Sequence, residues 1–167
     1  MMTNKLMTGA EILMRSLIDQ GVTTLFGYPG GAIMPVYDAL YKYKEKELNN
    51  ILVRHDAAQG YARISGKVGV ALVTSGPGAT NTITGLADAM MDSTPIVVIT
   101  GQVGRTALGS DAFQECDVVD LAQPISKWAY QIRSAEKIAW AVSRAFYIAR
   151  SGRPGPVVLD FAKNAQT

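Results

Sequence analysis

Two hydrophobic periods alternate along the chain. Apolar residues recur at helical spacing over 8–20, 32–43, 57–65, 83–90 and 134–150, with a helical turn at 117–122. Between them lie short apolar runs of strand length at 22–26, 51–54, 68–73, 95–100, 127–132 and 157–161. Thr8 and Glu11 have the spacing of a capping box, and Ala10, Leu13, Leu17 and Ile18 give the first helix an apolar face that Gly21 ends. In the last helix, capped by Ser134, the residues Ile138, Ala141, Val142, Ala145 and Ile148 face inward. Six strands alternating with helices predict an α/β fold: a doubly wound, mostly parallel six-stranded sheet with helices on both faces, as a single domain over 1–167.

Glycine-bearing turns are predicted after Phe26, Thr74 and Thr100, and in a parallel sheet all three fall on the carboxyl edge, where open α/β sheets bind ligands. The second, Ser75-Gly76-Pro77-Gly78, joins a buried strand to a helix, and Asn81 can turn its amide toward whatever approaches. Residues 102–116 lack a clean period and hold Gly104, Gly109 and Ser110, which predicts a long loop of the functional or mobile kind.

With 167 residues, 48% of them hydrophobic, the chain suffices for one full core. Its net charge of +2 and the mixed signs of Lys44, Glu45, Lys46 and Glu47 give no basic face for nucleic acid. There is one cysteine, Cys116, and no apolar run long enough to span a membrane, so a soluble cytoplasmic protein is expected. The glycines match neither a P-loop nor the dinucleotide fingerprint. A single histidine, His55, and the absence of a Gly-x-Ser-x-Gly elbow argue against a hydrolase triad or a zinc centre. No metal site is expected.

Four blocks carry a resemblance. They are Phe26-Gly27-Tyr28-Pro29-Gly30-Gly31-Ala32, Thr74-Ser75-Gly76-Pro77-Gly78-Ala79-Thr80-Asn81, Thr100-Gly101-Gln102-Val103 and Asp111-Ala112-Phe113-Gln114-Glu115. Together, and in this order, they resemble the N-terminal, pyrimidine-binding domain of acetolactate synthase catalytic subunits. The resemblance implies a thiamine diphosphate enzyme that decarboxylates pyruvate and joins the two-carbon unit to a second 2-keto acid, on the way to branched-chain amino acids. It implies that Gly76, Pro77 and Asn81 line the aminopyrimidine pocket and that Gly30, Gly31 and Ala32 border the active site, Ala32 on the substrate side. It implies too that Phe113 and Gln114 reach the substrate side, Gln114 as a catalytic residue. It further implies pairing of pyrimidine domains in a homodimer, with diphosphate and Mg2+ held by a separate C-terminal domain whose Gly-Asp-Gly motif does not occur here. FAD and a regulatory subunit are left open for the parent enzyme. Taken without the resemblance, Gly30-Gly31 starting a helix, Asn81 bonding its own turn and Phe113 packing in a core are the favoured readings. A non-catalytic interaction domain, or the same domain of another thiamine diphosphate decarboxylase or oxidase, stays as the alternative.

At one place the chain departs from that family. The family pattern Arg-His-Glu-Gln-Gly-Ala-x-His-Ala-Ala-x-Gly-Tyr-Ala-Arg is represented by Arg54-His55-Asp56-Ala57-Ala58-Gln59-Gly60-Tyr61-Ala62-Arg63, five residues shorter. Asp56 alone stands in for the glutamate that would bond the pyrimidine ring nitrogen, and it is one methylene shorter. Losing five residues turns a helix by roughly 140° and shortens it by about 7.5 Å, so a core face would point to solvent unless the preceding loop absorbs the change. Either the acid–base site is cut, or the polypeptide carries five residues more than the written sequence. The intact flanking motifs favour the second. Intact mass with peptide sequencing across 54–63 decides between them: the expected longer chain shows a Glu-Gln-Gly segment, whereas 17.9 kDa leaves Asp56 without an acid–base role.

Overall fold

The computed structural model describes residues 6–43, 47–53 and 57–167. Element order is α1 (Gly9–Asp19), β1 (Thr24–Tyr28), α2 (Met34–Tyr43), β2 (Asn49–Leu52), α3 (Ala57–Ser65), β3 (Gly69–Val73), α4 (Pro77–Thr80) and α5 (Ile83–Met91). It continues with β4 (Ile96–Gln102), α6 (Val118–Ala122), β5 (Trp128–Ile132), α7 (Ile138–Arg150) and β6 (Val157–Ala162). The six strands form one sheet in the order β2-β1-β3-β4-β6-β5. Every pairing is parallel, so the doubly wound α/β expectation holds, with a fully rather than mostly parallel sheet.

Side-chain alternation along the central strands splits the apolar residues between two cores. Val97, Ile99, Val157, Leu159 and Phe161 face α1, α2 and α7, where Leu13, Leu17, Val36, Ala141 and Phe146 complete the larger cluster. Ile96, Val98 and Val158 face the other way, toward Ala62 of α3, Leu86 and Ala89 of α5, and Val118 and Ala122 of α6. This second core is the smaller. The Thr8–Glu11 capping box forms in both directions at the start of α1. Of its expected inward face, Ala10, Leu13 and Leu17 are buried and Ile18 is half-buried.

Four expected boundaries are corrected. β2 begins at Asn49 rather than at 51, because Asn49 and Asn50 pair with Thr24 and Leu25; residues 44–46 lie outside the described part. α2 begins at Met34, after a turn in which the Ile33 amide donates to the Gly30 carbonyl (3.1 Å). Gly101 and Gln102 do not close β4 but belong to it, paired with Phe161 and Ala162. The third glycine turn is therefore strand. Ser134 makes no side-chain cap, and a 3-10 turn over Ala135–Lys137 leads into α7 instead.

α3 keeps Ala58, Gln59 and Ala62 buried, so its core face still points inward.

Candidate functional site

The strand order reverses direction at β1: β2 lies on one side of it and β3 on the other. In open parallel sheets the crevice at such a reversal, outside the carboxyl ends of the strands, is where ligands sit. Two predicted turns leave β1 and β3 there, tied together by the Thr74 amide donating to the Tyr28 carbonyl at 3.0 Å.

Thr74 sits between the two turns. A Cβ on Gly30 would fall 2.4 Å from the Thr74 Oγ1, and one on Gly78 would fall 2.6 Å from its Cγ2. Neither turn tolerates a side chain at these points, and the backbones close directly over the threonine. Its hydroxyl is buried and has no hydrogen-bond partner among the described residues. Gly76 has a φ of 55° and a ψ of −116°, conformations that L residues avoid, and starts the short helix α4 with Pro77 at its first position. A Cβ there would meet the backbone of Gln114 at 2.9–3.0 Å.

Thus the structure brings Gln114 against Gly76 and Gly30 against Thr74. Gln114 holds a φ of 61°, as Asp111 holds 55°, which for non-glycine residues marks backbone fixed by its surroundings. The fixing group is the Glu115 carboxylate. It accepts from the amides of Gly109, Ser110 (3.2 Å) and Ala112 (3.1 Å), closing the loop into a ring. Those amides hold the Glu115 carboxyl below its usual range, the Gly109 bond contributing most.

Asn81 is exposed at the end of α4. With Tyr28, Gly78 and Thr82 it borders a cavity of about 380 Å³ between α3 and α5, whose described floor is Phe26, Ala71, Val73 and Val98. Ala57 and Ala58, at the start of α3, form part of the same wall. Gly31 and Pro77 are exposed, Ala32 is half-buried, and Phe113 projects into solvent at 87% exposure. Asp56 and His55 lie outside the described residues, so Asp56 receives no geometry.

Sequence reasoning missed a polar group beneath this rim. Asp160, fully buried in β6, accepts from Thr100 Oγ1 (2.8 Å), Gln102 Nε2 (3.1 Å) and Gln131 Nε2 (2.8 Å). Gln102 Nε2 also donates to the Cys116 carbonyl at 2.7 Å, linking β4 to the loop that carries Gln114. Burial pushes the Asp160 carboxyl up, against the opposing pull of its three donors. Burial also pushes up the thiol of Cys116, which keeps it protonated and a poor nucleophile at neutral pH. Among the described residues no group of histidine, cysteine or acidic side chains could hold a metal ion. The one available signal was Asp160 itself, an acid inside an apolar strand run.

A parallel doubly wound sheet with bare backbone on both sides of its switch point defines an α/β cofactor-binding domain. The chain belongs to the family described as thiamine pyrophosphate enzyme, N-terminal TPP binding domain, whose profile matches residues 7–121. It is 50% identical over 165 residues to the acetolactate synthase large subunit of Lactococcus lactis subsp. lactis, covering 96% of this chain and 28% of that one. It is 51% identical over 165 residues to the isozyme 3 large subunit of Escherichia coli, with the same coverage. With the acetolactate synthase of Mycobacterium bovis it shares 52% identity over 163 residues, 95% of this chain and 26% of the relative. The chain thus spans little more than a quarter of the length of these relatives.

Two outcomes follow from the buried polar groups. Thr74→Val keeps the wedge and removes an unpaired buried hydroxyl, so urea unfolding should show equal or greater stability, by up to about 1 kcal/mol, while Gly30→Ala lowers it. A loss of more than about 1 kcal/mol in Thr74→Val would reveal a partner for that hydroxyl. Asp160 binds its proton more tightly folded than unfolded. Its contribution is therefore fully present below the ordinary carboxylate range and falls as pH rises through the window up to its raised folded value. In Asp160→Asn the Thr100 hydroxyl can turn to accept, so stability relative to the parent should climb as pH rises from about 4 to 7. A difference independent of pH would show that Asp160 does not titrate as described.

Proposed function

We propose that the β1/β3 crevice holds the aminopyrimidine end of thiamine diphosphate, and that the domain serves an acetolactate synthase. In that reaction pyruvate is decarboxylated and its two-carbon unit is joined to a second 2-keto acid. The observation that carries the reading is the pair of bare glycine turns closing over Thr74 at the switch point, the second of them packed against Gln114 at Gly76 and leading to Asn81 at the mouth of an apolar cavity. A flat ring needs such a place: close backbone on one side, apolar wall on the other, and neutral amides to orient its polar atoms. Family membership and about 50% identity to acetolactate synthase large subunits support the same choice.

In this reading Gly30, Gly31, Gly76, Pro77 and Asn81 form the cofactor-facing surface, and Ala32, Phe113 and Gln114 face the substrate. Thiamine diphosphate supplies, when bound, a carbanion carrier for the decarboxylation. The protein's own part is geometric. The Glu115 ring holds the Gln114 backbone against Gly76, so its side chain is presented from a fixed point at the crevice. No proton transfer is assigned to Asp56, which lies outside the described residues.

The diphosphate with its Mg2+, and any FAD, fall to further domains of the whole enzyme, and the exposed rim would be covered by a second pyrimidine domain in a homodimer. A regulatory subunit and a cytoplasmic location complete the proposal; among the described residues no helix is long and apolar enough to cross a membrane.

The purified chain should form no acetolactate from pyruvate, yet thiamine diphosphate should shift the amide resonances of residues 30–32 and 76–81, and Asn81→Ala should weaken that response. Turnover above background overturns the first expectation. Absence of any shift favours an interaction domain that keeps the fold without the cofactor.

A further inference from the structure

The segment after β6 carries none of the motifs that mark the site, yet it reaches under the crevice. Gln166 is fully buried. Its Nε2 donates both protons, one to the Ala32 carbonyl at 2.8 Å and one to the Phe161 carbonyl at 3.0 Å. Its own backbone carbonyl accepts from the Ala10 amide at 2.8 Å, which anchors it to the first turn of α1. On the opposite side of Ala32 stands Gly101, where a Cβ would come within 3.1 Å of the Ala32 carbonyl carbon and oxygen. The last residue of the Gly30-Gly31-Ala32 turn is thus gripped between a bare strand backbone and one buried amide.

We propose that Gln166 is a positioning residue for the first glycine turn: through the Ala32 carbonyl it fixes where Gly30 and Gly31 stand relative to Thr74. The inference rests on the proposed cofactor role for what that turn does, and on the structure alone for the contact. The orientation of the amide is determined, because reversing it would set the carbonyl oxygen of Gln166 against two other carbonyls. Its other ties among the described residues are the packing of Gly30 on Thr74 and the bond from the Ile33 amide to the Gly30 carbonyl, which fixes its shape. Gly31 has no described neighbour within 4 Å of its Cβ position. A buried carbonyl left without its donor is disfavoured enough to shift the local equilibrium by about tenfold.

The test is amide hydrogen exchange of the full chain, comparing the parent with Gln166→Leu and Gln166→Asn, alongside thiamine diphosphate titrations followed by the resonances of residues 30–32. Leucine removes the donor, and asparagine keeps the amide but stops one methylene short of the Ala32 carbonyl. In both, exchange of the Ile33 amide, the hydrogen-bonded amide within residues 29–33, should accelerate about tenfold while β3, β4 and α7 keep their protection, and the response of Gly30 and Gly31 to the cofactor should weaken. Should Gln166→Leu fail to fold, Gln166→Asn carries the comparison. Unchanged exchange over 29–33, or an acceleration spread evenly over the domain, overturns the positioning role. A parent chain that shows no cofactor response while the variants loosen residues 29–33 refutes the proposed function and leaves the positioning role standing.

Discussion

Everything at the carboxyl edge of this sheet depends on one steric constraint: two backbone turns approach the same threonine more closely than a side chain would allow. Thr74 follows β3 directly, its amide bonded to the last carbonyl of β1, so it stands at the seam where the sheet changes direction. Gly30 and Gly78 press on its side chain from the two turns. The contact is backbone against side chain, with no rotamer to adjust on the glycine side. The distance between the turns is therefore set by the volume of one residue.

Around that seam the rim is held by polar groups that themselves face no ligand. Glu115 gathers three loop amides on one carboxylate, and Gln102 bridges Asp160 to the Cys116 carbonyl. Asn164 accepts from the Arg105 amide at 2.9 Å and donates to the Arg133 carbonyl at 3.2 Å. The two carboxylates respond oppositely to pH, since Glu115 is stabilised as an anion by amides while Asp160 is penalised as one by burial. Loop order thus weakens toward acid, whereas the seat beneath it is stabilised in that direction. Each group is stationed where the loop would otherwise leave main-chain amides or carbonyls without partners.

The fold was legible because burial on both faces gives parallel strands an unbroken apolar composition, and Val97 to Ile99 or Val157 to Leu159 can be little else. The site was legible as motifs but not as geometry. Gly76 announces a turn in the sequence, yet nothing there indicates that its missing side chain makes room for Gln114, thirty-eight positions later. Gly101 reads as punctuation and is in fact strand, because a glycine gap that ends a helix and one that admits a neighbour's backbone look alike in one dimension. The roles of Asp160, Glu115 and Gln166 were not legible for a related reason: each acts on residues far along the chain or on backbone groups, and backbone groups have no sequence.

Helix α3 links the crevice to the second core, turning Ala58, Gln59 and Ala62 inward. Arg63 helps hold it, reaching Asp92 at 2.5 Å, Asp88 at 3.2 Å and the Thr94 hydroxyl at 3.2 Å across the groove to α5 and its end. Those ties act at the far end of α3, away from the crevice. The open space lies at the near end, beside Ala57, Tyr28 and Asn81. The Arg63 ties and the cavity thus fall at opposite ends of one helix.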